Sequence, residues 1–228
     1  MKTALGIIFL AILICTAPQS TAFAYSITFD SMNITASGYA GTTKTTKEAW
    51  ATVWDFNTGL DGVRPNLFDS YTAHTAAVVS GSLSGLYAAP ESSDDTPYLS
   101  VPGPDGTSSG SITVKLKSGT NNYFGLYWGS IDTYNSITFF KGITQLLSFT
   151  GETVAQNYAN GNQTAPPSNT YVNFYGLDAF DSFKLASTSR AFEVDNVAVG
   201  TAPVPEPATM LLFGTGLVGL AGFRRKKQ

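Results

Sequence analysis

The chain has 228 residues, of which 43% are hydrophobic and 13% aromatic, with 13 Lys and Arg against 16 Asp and Glu for a formal net charge of −3. That length fits one or at most two domains. Five of the basic residues lie in the two ends (Lys2, Arg224, Arg225, Lys226, Lys227) and only one acid, Glu206, does, so the segment between carries 8 basic against 15 acidic residues, a net of −7. Such a body argues against nucleic acid as a partner, because phosphate binding needs clustered Lys and Arg.

Residues 1–24 have the three parts of a secretory signal peptide. Lys2 gives a positive start, an apolar stretch runs from Ala4 to Cys15, and Ala22-Phe23-Ala24 forms a small-residue cleavage site. Signal peptidase is expected to cut after Ala24, so the mature chain begins at Tyr25. Cys15 is the only cysteine. Its loss with the peptide excludes a disulfide framework, a cysteine zinc site and a thiol nucleophile.

From 25 to 203 the pattern is that of an all-β body. "YSITFDSM" (25–32) is the first expected strand. "EAWATVWDF" (48–56) is read as a strand, although Trp50, Val53 and Trp54 also fit one helical face. "TAAVVSGS" gives a short strand near 75–80. Residues 89–110, with prolines at 90, 97, 102 and 104, read as a long loop. "SITVKLKS" (111–118) alternates, with Ile112, Val114 and Leu116 on one face. "YFGLYWG" (123–129) follows, then two strands in 136–151 joined at Lys141-Gly142. "TYVNFYG", "DSFKLAS" and "AFEVDNVAVG" complete nine or ten strands. Strands at this spacing predict a jelly-roll-like β-sandwich over residues 25–203.

Three chemistries are open in that body. The first is catalysis. His74 is the only histidine, and no metalloprotease helix, nucleophile elbow or phosphate loop is present. The expectation is therefore no enzyme, with a secreted glycoside hydrolase as an alternative, since two carboxylates suffice for that reaction. The second is calcium, which takes oxygen ligands. Asp30 on the first strand and Asp195 on the last are expected to share a structural Ca²⁺ if those strands are neighbours, with Asp94 and Asp95 as a rival pair. Turn capping is the plain alternative for such residues, and no other cofactor is implied. The third is a glycan site around 122–135. There Tyr127, Trp128, Asp132, Tyr134 and Asn135 combine aromatic faces with polar partners, against the plain reading that the aromatics fill the core. The sequons Asn33-Ile34-Thr35 and Asn162-Gln163-Thr164 leave glycosylation open.

The last 25 residues, 204–228, differ from all of this. Pro205 and Pro207 fix an extended backbone around Glu206. Residues 208–223 are uncharged and mostly apolar, and as a helix span about 24 Å against about 30 Å of hydrocarbon. Arg224, Arg225, Lys226 and Lys227 then hold the end in the cytoplasm. Pro-Glu-Pro, a short Gly-rich transmembrane helix and a basic tail, behind a signal peptide, resemble the PEP-CTERM sorting signal of Gram-negative bacteria. "YFGLYWGSIDTYNSITFF" and "AFEVDNVAVG" resemble one subgroup of exosortase-dependent surface proteins. The resemblance implies an exosortase, a membrane enzyme that processes the tail, as partner. It implies a precursor in the inner membrane and a surface or extracellular-matrix product in bacteria that make exopolysaccharide. The expected function is that of an exported, non-enzymatic protein associated with exopolysaccharide. A carbohydrate-binding module with its site at 122–135 is the first alternative and a secreted hydrolase the second.

Overall fold

The structure, a computed structural model, describes residues 25–30, 34–35, 38–39, 44–90, 96–105, 107–165 and 168–203. The signal peptide with Ala22 and Ala24, Asn33, Asp94 and Asp95, and the whole segment 204–228 with Pro205, Glu206, Pro207, the 208–223 helix and the basic tail lie outside the described residues. Among the described residues no helix is long and apolar enough to cross a membrane.

Fourteen strands follow in order: β1 (Ser26–Asp30), β2 (Ile34–Thr35), β3 (Gly38–Tyr39), β4 (Thr52–Trp54), β5 (Phe68–His74), β6 (Ala77–Val79), β7 (Tyr98–Val101), β8 (Gly110–Leu116), β9 (Tyr123–Gly129), β10 (Asn135–Lys141), β11 (Thr144–Thr150), β12 (Thr170–Tyr175), β13 (Ser182–Ser187) and β14 (Phe192–Gly200). A short helix, α1 (Gly151–Ala155), follows β11 and runs into a 3-10 turn at Gln156–Tyr158. The larger sheet runs β1-β12-β9-β14-β7-β6, with β4 also paired to β14, and the smaller runs β11-β10-β13-β8-β5. β2 and β3 pair only with each other. Every pairing is antiparallel.

The two sheets meet through one apolar core. Phe124 of the larger sheet sits edge-on to Phe139 and Phe183 of the smaller, at 5.1 and 4.8 Å between ring centres, which is the favoured geometry for aromatic pairs. The expected alternation of β8 holds: Ile112, Val114 and Leu116 are buried in that core. Among the described residues the core runs from Trp54 to Val199 and the strand pairings lie between Ser26 and Gly200.

The expected hairpin at Lys141-Gly142 is present. Lys141 pairs with Thr144, and Gly142 takes a positive φ of 59°, as a two-residue loop with Gly first requires. Three elements depart from the sequence reading. β5 was hidden because its register slips between Phe68 and Ser70, and a bulge destroys the period-two signal. β7 lies inside the stretch read as a loop. All four of its residues are buried, so it shows no alternation, and Pro97 and Pro102 bound it. The strand expected over 48–56 shrinks to Thr52–Trp54. The residues before it cross the outer face of the larger sheet instead. There Trp50 stacks edge-on to Tyr123 at 4.9 Å, and Glu48 Oε1 accepts from Tyr175 Oη at 2.7 Å.

That cover explains why every residue of β9 is buried. Phe124, Leu126 and Trp128 face the core, while Tyr123, Gly125 and Tyr127 face a second, tyrosine-rich layer. Gly125 is needed there: a Cβ would come within 2.6 and 2.7 Å of the Tyr123 and Tyr171 hydroxyls.

β14 sets the long axis of the site. Glu193 lies opposite Gly129, the last residue of β9, and Gly200 lies opposite Tyr123, the first. The eight residues from Glu193 to Gly200, one of them taken up by a bulge, run beside the seven from Gly129 to Tyr123 and span roughly 20 Å at strand rise. Beyond Gly200, Thr201 Oγ1 donates to the Thr120 carbonyl at 3.0 Å and the Ala202 N–H to Asn122 Oδ1 at 2.7 Å. The fold therefore holds the chain up to Ala202.

Candidate ligand cleft

At the Glu193 end of β14 a cleft of about 490 Å³ opens. Its floor is Glu193. One wall is the segment 82–87, a tight turn closed by the Leu83 N–H to the Tyr87 carbonyl at 2.9 Å. The other is built from the 130–134 loop with Asp132 and Tyr134, from Gly161 and Gln163, and from Arg190.

Glu193 is 2% exposed. The strand alternation puts it on the outer face of the larger sheet, where 86–90 crosses above it. Its Oε1 accepts from the Ala88 N–H at 2.9 Å and its Oε2 from Ser130 Oγ at 2.6 Å. Burial pushes this carboxyl up to about 7, against the opposing pull of those donors. Gly129 beside it admits the covering segment: a Cβ there would come within 2.8 Å of Pro90 Cα.

Asp132 is set by its neighbours' lack of side chains. A Cβ on Gly161 would lie 2.4 Å from Asp132 Oδ2, and one on Gly151 would lie 2.1 Å from the Asp132 carbonyl. Gly161 also has a positive φ of 66°. α1 begins at Gly151 because Thr150 caps it, accepting from the Thr153 N–H at 3.2 Å. Burial raises the Asp132 carboxyl, opposed by its hydrogen bond with Tyr134. The Tyr134 hydroxyl lies against two acceptors, Asp132 Oδ2 and the Arg190 carbonyl at 2.6 Å. It has one proton to give. It therefore donates to one of the two at a time. Burial first, then Asp132, raise the Tyr134 hydroxyl as well.

The residues named for a glycan site thus divide. Asp132 and Tyr134 line the cleft. Asn135 lies beneath it, 0% exposed, where Oδ1 accepts from the Asp132 N–H at 3.0 Å and Nδ2 donates to Ser187 Oγ at 3.0 Å. It positions the loop. Tyr127 and Trp128 are 2% and 0% exposed, so neither offers a ring to a ligand. Trp128 fills the core against Phe192 at 4.7 Å, the alternation having placed it on the inner face.

The paired aspartates are separated by the sheet order. Asp30, Tyr171, Tyr127 and Asp195 form one row across β1, β12, β9 and β14. Three strand spacings set Asp30 and Asp195 about 14 Å apart along the sheet, too far for one ion whose ligands lie at about 2.4 Å. The first and last strands share a sheet but are not neighbours. Asp195 instead accepts from Asn196 N and Nδ2, at 2.7 and 3.1 Å, at a bulge where Asn196 takes a positive φ of 49°. Among the described residues no three His, Cys, Asp or Glu gather as a cation site. His74 stands exposed on β5, at the rim of the smaller sheet.

Sequence reasoning missed Glu193, Ser130, Arg190 and the 82–87 wall. The signal for Glu193 was in plain sight: an acid between Phe192 and Val194 in a strand with apolar residues on both sides.

Residues 203–226 match the family described as the PEP-CTERM protein-sorting motif. The chain is a protein with a PEP-CTERM sorting domain, appended directly to the last strand of its sandwich. The motif implies export, membrane-associated sorting to a surface or extracellular location, and processing by an exosortase, which is a membrane protein. No curated protein matches the chain.

Proposed function

We propose that this is a non-enzymatic surface or matrix protein whose cleft binds a hydroxyl-rich glycan of the cell's own exopolysaccharide. After an exosortase processes the tail, the sandwich is released or attached outside the cell. The observation that carries this reading is the cleft itself. Asp132, Tyr134, Gln163, Arg190 and three serines present donors and acceptors around one hollow, with Tyr87 and Tyr134 as ring surfaces. Such a lining suits sugar hydroxyls.

Residues 25–203, passed over the producing organism's exopolysaccharide, are expected to be retained. Asp132→Ala removes a cleft acceptor and is expected to weaken retention about tenfold or more. No retention of the wild-type body would sink the glycan reading and leave the sorting intact.

A second reading, a glycoside hydrolase, has one observation in its favour: two carboxyls, Glu193 and Asp132, share a cleft and both hold protons more tightly than usual. It requires polysaccharide turnover by the purified protein that Glu193→Gln abolishes.

A further inference from the structure

The smaller sheet has its own outward face, opposite the core, and it is the reverse of the rest of the body in charge. Lys115 points outward from β8 with Ser182 and Ser70 beside it, and Lys184 points outward from β13 between Thr113 and Thr138. Lys117 follows two residues after Lys115, just past the end of β8. Diagonal neighbours on adjacent strands and alternate residues on one strand both lie about 7 Å apart, so the three ammonium groups form one cluster. Apart from Asp69, exposed at the bulge of β5, the outward strand positions of this sheet hold no carboxylate; they are filled by Ser, Thr and a few other uncharged residues, plus His74. The nearest acids stand at the rim. Asp181 accepts from the Gly142 N–H at 2.8 Å and from Ser182 Oγ at 3.1 Å, and Asp69 from Ser70 Oγ at 3.3 Å.

The cluster sits beside the exit of the tail. Lys117 begins the turn that leads to Thr120 and Asn122, which hold Thr201 and Ala202. Lys141 donates to the Gly119 carbonyl in the same turn. From Ala202 to the end of Pro-Glu-Pro there are five residues, 203–207, a reach of at most about 18 Å. While the motif is engaged at the membrane, this end of the sandwich is held within that distance of the bilayer.

We infer that the lysine face formed by Lys115, Lys117 and Lys184 docks on anionic phospholipid headgroups while the sorting motif is held at the membrane. This goes beyond the glycan reading but rests on membrane-associated sorting by the tail. The docked sandwich lies with its tail exit against the bilayer and its cleft away from it. Docking is intramolecular once the tail is seated, so a weak contact is sufficient. Each lysine near an anionic surface multiplies the docked fraction about fivefold, and three do so about a hundredfold. The effect weakens with salt, since the charges are exposed.

The full chain tests this. With Cys15→Ser, a single probe is placed at Thr138→Cys on the lysine face or at Gln163→Cys in the cleft. The protein is reconstituted into vesicles of phosphatidylcholine alone or with one third phosphatidylglycerol, both carrying a headgroup spin label. The face probe is expected to be quenched strongly in anionic vesicles only, and to recover at high salt. Lys115→Gln, Lys117→Gln and Lys184→Gln together are expected to abolish the quenching with an unchanged melting temperature, and three Lys→Arg changes to keep it. The cleft probe is expected to stay unquenched. Equal quenching in both lipids, equal quenching of both probes, or indifference to the triple Gln change would overturn the docking. So would retention on an acidic polysaccharide without quenching, which would assign the face to a polymer. A chain that fails to float with either vesicle would instead overturn the membrane seating of the tail, a different failure.

Discussion

At one end of β14, Glu193 lies under a segment that bridges above it and leaves a hollow. At the other, Gly200 lies under Trp50, whose ring is so close that a Cβ would come within 2.9 Å. Both ends of the strand are covered on the same outer face of the same sheet. One cover is held by hydrogen bonds to a buried carboxyl and keeps polar groups around open space. The other is aromatic, packs tightly and hands the chain to the sorting motif three residues after Gly200. The difference puts the cleft at one end of the strand and the exit toward the sorting motif at the other.

The largest effect expected from disturbing this separation is on location. Deleting Pro205–Pro207 is expected to leave the precursor in the inner membrane, as fractionation would show. The unfolding midpoint of the body is expected to stay the same, because among the described residues no core residue lies beyond Val199. A shifted midpoint would mean that the tail is part of the fold.

Within the 122–135 segment the contrast is between core and cleft. Trp128→Ala is expected to lower stability by about 3–5 kcal/mol in denaturant titrations. Tyr134→Phe, which removes one hydroxyl from the cleft wall, is expected to lose only about 1 kcal/mol. Similar losses from both would place Tyr134 in the core with Trp128.

The buried carboxyl gives a pH signature. Glu193 binds its proton more tightly folded than unfolded, so its contribution to stability is fully present below pH 4.5 and is lost as pH rises to about 7. That loss is on the order of 3 kcal/mol. Glu193→Gln keeps an acceptor for the Ala88 N–H and places an amide donor where the acceptor of Ser130 Oγ stood, and is expected to flatten the fall between pH 4.5 and 7. An unchanged slope would show that Glu193 is not the group responsible. Gly129→Ala pushes Pro90 off the sheet for about 1–3 kcal/mol and is expected to alter ligand retention at the cleft while leaving sorting alone.

How much of this was legible beforehand depended on periodicity. β8, with Ile112, Val114 and Leu116 facing in and lysines out, could be read directly because one of its faces is wet. β7 and β9 could not be assigned a face, because both sides are covered and alternation carries no information there. The bulge at Asp69 hid β5. Asp132 and Tyr134 were picked out by residue type, but so were Tyr127 and Trp128, and only the alternation of β9 against two layers separates them. Glu193 stood out as an acid between Phe192 and Val194, but its site did not, because its partners, Ala88 and Ser130, are 105 and 63 residues away. The pairing of Asp30 with Asp195 failed because the sheet order inserts β12 and β9 between their strands. The sorting motif was fully legible, since an address read by another protein is written in contiguous residues.

The most direct test combines the two ends in four strains of the native host: wild type, the Pro205–Pro207 deletion, Asp132→Ala, and both changes together. Location is read by fractionation, and retention on exopolysaccharide is read with the purified bodies. Separate ends require the deletion to change location alone, Asp132→Ala to change retention alone, and the double variant to show both losses without more. If either single change moved both readouts, recognition and delivery would be coupled through the sandwich, and the division of β14 into two working ends would be wrong.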